Sequence, residues 1–534
     1  MTKPEINPAS NLAGDATFSM LARLLYLVTR LGLPPLILAH VTLAEYGLWS
    51  ACFIVIAYIG MADLGLSTVY VRSASRLHAA QDTQGIGRML STGMMLMAGV
   101  ALLLFAGILG LLPALMDGLK IDAAGRSTGQ ILILGAAAIF LLDMSLSGFT
   151  YTLHGMHQYR AEQRTWVGAV MLETVLIVVL LLSGLGILSL LVAFVLRYLY
   201  SIFSNRRLVY RMLPGLSVGW RQFDRSLLPG FFSTGLVVQA SGLLAIGLGS
   251  VDRVVAGLIL GPGSLALFEL GAKLSGSAMG LPSAISQITM PAAARLSQVE
   301  RISGAHWQHD PLLQLYAKST RSVILLASLI SSFLAAFSAP LSLAWLGPRA
   351  GLEVLPLLMT LTACSATLHV TTGPGSAVFR GSGRLGNEFI YHGLRIVILA
   401  LAVGMVYWIT GASVTSLGIG FACGLSIAAL LYMAHNHRTL GLPLAHLAMH
   451  ILLPALLQFA IGGLLYLGWL AFVPPGLGRW MTLALLVPFG ILHCTLCCLA
   501  LWRLLDLEER SKVVAVINPV MHRLGRFQPA WSRP

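Results

Sequence analysis

Charged side chains inside long apolar runs are where this sequence could do chemistry. Arg23 and Arg30 share the run 17–39, seven residues apart and so on one helical face. Asp143 lies in the run 130–154, Glu173 in 166–184 and Arg197 in 187–205. Asp252 and Arg253 are neighbours in 229–259, and Glu269 and Lys273 stand four apart in 264–292. A charge at membrane depth costs about 2.5–3.5 kcal/mol on insertion scales, so each must either pair or bind something. Arg30, Arg197, Arg253 and Lys273, with Arg23, could give charge-assisted hydrogen bonds to a phosphate or carboxylate. Asp143, Asp252, Glu269, Asp63 and Glu173 are the residues that could couple or gate through protons or cations.

Internal pairing competes with binding at each of these positions. Glu269 and Lys273 have the i, i+4 spacing of a helical ion pair. Asp143 could neutralise Arg197 or Arg30, and Arg23 could reach outward to the interface. Asp63, in Met61-Ala62-Asp63-Leu64-Gly65-Leu66, could cap backbone groups or pair with Arg72 or Arg76. His369, His392, His450 and His493 are scattered and read first as packing histidines. Cys494, Cys497 and Cys498 share the last apolar run without partners at metal-site spacing, so they read as small packing residues, not as a metal site.

The elements that must position these residues follow from composition. Apolar residues make up 57% of the 534-residue chain and charged residues 10%, against roughly 25% charged in soluble domains. A spanning helix needs about 20 mostly apolar residues because lipid offers its backbone no partners. About fourteen runs qualify: 17–39, 46–71, 89–113, 130–154, 166–184, 187–205, 229–259, 264–292, 317–346, 351–379, 388–409, 412–434, 448–472 and 480–504. The expected fold is an all-α integral membrane protein. Most of the 34 Lys and Arg residues fall on one side of that topology, with Lys120, Arg126, Arg349 and Arg479 on the other. By the positive-inside rule both termini are cytoplasmic. The net charge of +14 is then an orientation signal and not a sign of nucleic acid. The basic segments 206–228 and 506–534 could lie on an anionic leaflet or be solvated. The polar N-terminus lacks the pattern of a cleaved signal.

A repeat organises the runs. Ala74-Ser75-Arg76-Leu77 returns as Ala293-Ala294-Arg295-Leu296, and at the same offset of 219 residues Gly47-Leu48-Trp49 faces Ala266-Leu267-Phe268. Two pseudo-symmetric six-helix lobes, 1–205 and 229–434, follow, joined by the linker 206–228. Two further helices in 435–505 and the basic tail 506–534 complete the chain. Like-oriented halves usually hold a substrate where they meet.

The stretch Glu45-Tyr46-Gly47-Leu48-Trp49, then Asp63-Leu64-Gly65-Leu66 and the loop from Arg72 to Arg88, resembles the opening of bacterial polysaccharide flippases. These belong to the multidrug/oligosaccharidyl-lipid/polysaccharide exporter superfamily. Ser250-Val251-Asp252-Arg253, Leu260-Gly261-Pro262 and Leu281-Pro282-Ser283-Ala284 are similar to the same family's second half. Thr42-Leu43-Ala44 departs from it, where relatives commonly carry Leu-Gly-Pro. The resemblance implies two lobes around a central cavity. It also implies movement of polyprenyl-pyrophosphate-linked oligosaccharide to the outer leaflet of the bacterial inner membrane. Arg30 and Arg253 suit the pyrophosphate or acidic sugars, and a polysaccharide polymerase and assembly proteins would be partners.

Two other classes stand beside that expectation. A cation-coupled drug exporter of the same superfamily would need cavity carboxylates, whereas basic residues are at least as prominent here. A membrane-embedded enzyme of lipid-linked glycan assembly would need catalytic groups on sizeable outer loops, and the longest, 114–129, carries no acid–base constellation. No Gly-x-x-x-x-Gly-Lys-Ser/Thr loop is present, so neither nucleotide hydrolysis nor any cofactor is expected.

Overall fold

The computed structural model describes residues 8–63, 65–232, 236–297, 307–384, 386–502 and 510–511. The described elements are helical throughout. In chain order they are α1 (Pro8–His40), α2 (Leu43–Gly60), α3 (Leu66–Ala79), α4 (Thr83–Gly118), α5 (Ala123–Leu146), α6 (Gly148–Gly155), α7 (Tyr159–Leu182) and α8 (Leu188–Met212). Next come α9 (Leu228–Phe232), α10 (Leu236–Gly249), α11 (Val251–Leu260), α12 (Pro262–Ala278), α13 (Gly280–Leu296), α14 (Pro311–Ala336) and α15 (Ser338–Leu346). The last are α16 (Leu355–Thr371), α17 (Gly373–Gly381), α18 (Gly386–Thr410), α19 (Val414–Leu440), α20 (Leu444–His446), α21 (Leu453–Phe472) and α22 (Arg479–Trp502). Two compact units result. One is 1–277 with 346–359 and 384–428, and the other is 278–345 with 360–383 and 429–534.

Among the described residues eleven helices are long and apolar enough to cross a membrane, or twelve if the pair bent by 42° around Ser250 is one span. The difference from about fourteen lies in three places. The described apolar part of α1, Leu24–His40, is short. The run 229–259 is the bent pair. The run 264–292 is two helices, α12 and α13, of 17 residues each. The run 46–71 is also broken: α2 ends at Gly60, a 3₁₀ turn covers Met61–Asp63, and Gly65 takes the left-handed conformation (φ 78°) before α3. Glycine meets that conformation at no steric cost. The start of α2 is set by a capping box, in which Thr42 Oγ1 accepts from the Glu45 N–H and the Glu45 carboxylate accepts from the Thr42 N–H. The departure at Thr42-Leu43-Ala44 is therefore a helix start in its own right.

The repeated motifs have a shared structural cause. Ala74 is fully buried, and α6 crosses α3 there at Gly155. A Cβ on Gly155 would stand 2.7 Å from both Ala74 Cβ and the Val71 carbonyl oxygen. In the other unit α17 crosses α13 at Gly381, where a Cβ would meet Ala293 Cβ and the Ala294 nitrogen at 2.9 Å. Ala74 and Ala293 are the equivalent residues of the two motifs. Each half thus builds the same close crossing from small residues, the way helices approach when burial of apolar surface gains nothing over lipid.

The segment 206–228 is ordered against its own unit. α8 runs on to Met212, and two 3₁₀ turns follow at Trp220–Gln222 and Arg225–Leu227. The Gly219 N–H donates to Ser91 Oγ at 3.1 Å and the Asp224 N–H to Thr92 Oγ1 at 2.9 Å, both hydroxyls being buried on α4. The hydroxyl and N–H of Ser226 hold the Asp224 carboxyl below the usual range for an aspartate, with a smaller contribution from Arg88 at 3.9 Å. The tail 506–534 lies almost wholly outside the described residues.

Two outcomes follow from these contacts. Gly155→Ala and Gly381→Ala each force backbones apart and should cost about 1–3 kcal/mol, lowering the thermal midpoint in detergent. Gly107→Ala, with nothing within 4 Å of its Cβ, should hold or raise it. Equal midpoints for all three variants would remove the crossing from the account. Because the folded-state pKa of Asp224 is depressed, its contribution to docking is full above about pH 3.9 and is lost as the pH falls through the lowered value. Amide exchange over 219–227, corrected for intrinsic rate, should show that loosening in acid, and Asp224→Ala should show it at neutral pH. Protection indifferent to both changes would assign the latch to the backbone bonds alone.

Candidate functional site

Three helices of the first unit bring Arg30, Glu173 and Arg197 together. α7 packs along both α1 and α8, which places Glu173 between the two guanidinium groups. Arg30 Nη2 donates to Glu173 Oε2 at 3.0 Å and Oε1 at 3.2 Å, and Arg197 Nη1 donates to Oε2 at 3.2 Å. Glu173 is only 2% exposed, so the carboxylate is solvated by these two cations in place of water. An aromatic face backs each guanidinium, with Arg30 5.0 Å from the Tyr26 ring centre and Arg197 5.2 Å from that of Tyr198. Asp143 on α5 sits within the field of Arg197. The partner that neutralises both Arg30 and Arg197 is thus Glu173, while Asp143 was one residue that could have done so.

A second triad forms on α11 and α12. Glu269 pairs with Lys273 at 3.2 Å through the i, i+4 spacing and with Arg253 Nη1 at 3.2 Å. Lys273 Nζ also donates to the Tyr46 hydroxyl of α2 at 3.4 Å. Arg253 Nε is buried without a hydrogen-bond acceptor and stands 4.0 Å from Asp252 Oδ1. The bend at Ser250 starts α11 afresh, so Asp252 falls in a helix's first turn, where a carboxylate is favoured by the helix dipole. The turn before the bend is closed by Arg395 of α18, which is 5% exposed and donates to the Leu248 carbonyl at 2.8 Å.

The triads share a cavity. Arg30 and Glu173 from one, and Glu269 and Lys273 from the other, line a space of about 40 Å³ with Tyr46 and Trp49. A water needs about 10–15 Å³ on such a measure, so this volume suits a few waters and no headgroup. Each triad sets two cations against one glutamate, and Asp252 at 4.0 Å from Arg253 offsets charge in the second. Such an arrangement can hold an anion by exchange, with the ligand's oxygens replacing those of the glutamates.

Gly47 explains how α2 reaches this place. A Cβ there would run into the Pro262 carbonyl at the start of α12, so only glycine lets the two helices meet and brings Tyr46 to Lys273. The side chains of Arg23 and Asp63 lie outside the described residues. The four cations on the sparse side serve helix ends or loops. Lys120 donates to the Ile259 carbonyl, Arg349 to that of Pro35 and Arg479 to those of Ala344 and Trp345, while Arg126 pairs with Asp117.

Two buried arginines escaped the sequence reading. Arg321 on α14 and Arg395 on α18 are 7% and 5% exposed, and both stand in apolar runs, which was the available signal. Glu388, His392 and Arg395 occupy one buried face of α18 at helical spacing. Among the described residues no group of three or more His, Cys, Asp and Glu side chains could hold a metal. His493 meets Ser332 Oγ at 2.9 Å and stands 3.6 Å from Cys497 Sγ. His450 stacks on His446 with ring centres 5.0 Å apart.

No family model matches the sequence, and no curated protein does. Solved structures do match the fold. An inward-facing multidrug resistance MATE family transporter of the MOP superfamily is 19% identical over 80% of this chain and 94% of its own, with a TM-score of 0.59. The lipid II flippase MurJ, in an inward closed conformation, is 14% identical over 92% of this chain and 99% of its own, with a TM-score of 0.62. The chain is an all-α, multi-pass membrane protein with the fold that these two transporters share.

Proposed function

We propose that this protein is a transporter that flips polyprenyl-pyrophosphate-linked oligosaccharide from the cytoplasmic to the periplasmic leaflet of a bacterial inner membrane. The reading rests on the two triads, each with two cations on one glutamate and both reaching one cavity through Arg30, Glu173, Glu269 and Lys273. A pyrophosphate needs charge-assisted donors as it leaves water, and Arg30, Arg197, Arg253 and Lys273 offer them. Arg23 belongs to the same proposal by sequence. Glu173 and Glu269 hold these donors in place while no anion is bound, and Asp143 and Asp252 tune their charge. Two lobes, 1–205 and 229–434, rocking about the site would give alternating access, with 435–505 as accessory helices and both termini cytoplasmic. The repeated crossings at Gly155 and Gly381 support that symmetry. No catalytic role is assigned to any residue.

A second reading is a cation-coupled exporter. The buried carboxylates of Glu173 and Glu269 favour it, because a cationic substrate could displace an arginine or lysine from them. The fold likeness to the MATE family transporter is consistent with it.

Flipping of a polyprenyl-pyrophosphate-linked oligosaccharide in proteoliposomes separates the two. Arg30→Ala should lower the rate by roughly 10- to 100-fold, the worth of a hydrogen bond to a charged group, at unchanged abundance. Arg30→Lys should restore much of it if charge matters more than geometry. Glu173→Gln should bind the anionic lipid at least as tightly as wild type. Its fold should be weakened by about 3–5 kcal/mol, because two cations lose their counter-ion. Full flipping by Arg30→Ala would sink the assignment of that residue. Efflux of a small organic cation by wild type, with no flipping of the lipid-linked oligosaccharide, would establish the exporter reading.

A further inference from the structure

A cleft of about 740 Å³ lies on α4, α5 and α8 and shares no residue with the charged cavity. Its size falls within the roughly 300–1,000 Å³ of ligand sites. α4 and α8 each pack on α5, and the small residues Ala98, Ala101 and Ala138 leave a channel over it. Leu102 and Phe203 on its rim are 72% and 61% exposed, on helices that cross the membrane, so the channel opens toward lipid. On α4 it extends from Ser91 to Phe105, roughly 21 Å at 1.5 Å per residue, a little more than one leaflet of a core about 30 Å thick.

Polarity is confined to one end. Arg206 closes the channel there, its guanidinium 5.6 Å from the Tyr210 ring centre, beside Val218 and Gly219 of the docked segment. Arg206 is exposed, and among the described residues no carboxylate pairs with it. Arg207 and Arg211 follow on the same exposed helix end. An apolar channel one leaflet long with a cation at its basic end matches one molecular shape, a hydrocarbon chain ending in a phosphate.

We propose that this channel is a binding site for one anionic phospholipid of the leaflet on the basic side, its acyl chain over the alanines and its phosphate at Arg206. The proposal does not depend on which substrate is transported. Native mass spectrometry of the full chain in mild detergent tests it, with phosphatidylglycerol, phosphatidylcholine and polyprenyl phosphate as separate probes. Wild type should retain one phosphatidylglycerol with about tenfold preference over phosphatidylcholine. Arg206→Gln, a change at an exposed residue that folding tolerates, should abolish the preference and keep weak binding of both. Ala138→Trp should fill the channel and reduce retention of both. Equal retention of phosphatidylglycerol by wild type and Arg206→Gln would overturn the proposal. So would displacement of phosphatidylglycerol by equimolar polyprenyl phosphate, which would make the channel a carrier-lipid site.

Discussion

Glu173 cannot be buried alone. A carboxylate taken from water into a helix bundle loses several kcal/mol of solvation that only opposite charge and hydrogen bonds return. Two arginines from two different helices supply both, so α1, α7 and α8 are tied at one point. The same rule builds the second triad, where Glu269 ties α11 to α12 and, through Lys273, to Tyr46 of α2. Any change in one helix's position in this unit must therefore keep these six charges matched. That constraint makes the triads an anchor of this unit.

The crossing of small residues is the complementary constraint. Among helices already in lipid, contact between backbones depends on shape. Gly155 against Ala74 and Gly381 against Ala293 solve that problem twice in the same way. Gly47 against Pro262 solves it at the charged cavity. A motif of four residues thus returned at a fixed offset because its first alanine must admit a glycine from the neighbouring helix. The repeat was visible in the sequence, whereas its partner glycines were not, because nothing local marks Gly155 or Gly381 among 55 glycines.

What could be read before the structure was set by locality. Apolar runs, the Glu269 and Lys273 spacing and the isolated charges are local signals, and they pointed to the helices and to four residues that line the charged cavity, Arg30, Glu173, Glu269 and Lys273. The sharing of Glu173 was hidden because its partners are 143 and 24 residues away. The sequence left Asp143 and Glu173 open as partners, and the packing of α7 against α1 and α8 brings Glu173 to both arginines. The break in 46–71 was hidden for a different reason: the run is continuous in hydrophobicity, and its interruption comes from the 3₁₀ turn at Met61–Asp63 and from Gly65. Thr42 and Glu45 carry the Thr-x-x-Glu spacing of a capping box, a local signal for the start of α2.

The two cavities divide the chemistry of a lipid between them. In the charged one, cations outnumber the glutamates that hold them, so an anion gains its hydrogen bonds by exchange and no donor has to be uncovered. Such a site can release its ligand for the same reason, since the glutamates are at hand to take the donors back. A site built from unpaired cations would bind more tightly and let go more slowly, which would serve a receptor better than a transporter. The cleft by Arg206 has the opposite design, with one cation, no competing carboxylate among the described residues and a long apolar floor. An occupant there would gain from its whole chain length and have little to displace it, the properties of a resident lipid. Shared carboxylates in one cavity, and none among the described residues lining the other, are thus what the two proposals require: passage at the first and residence at the second.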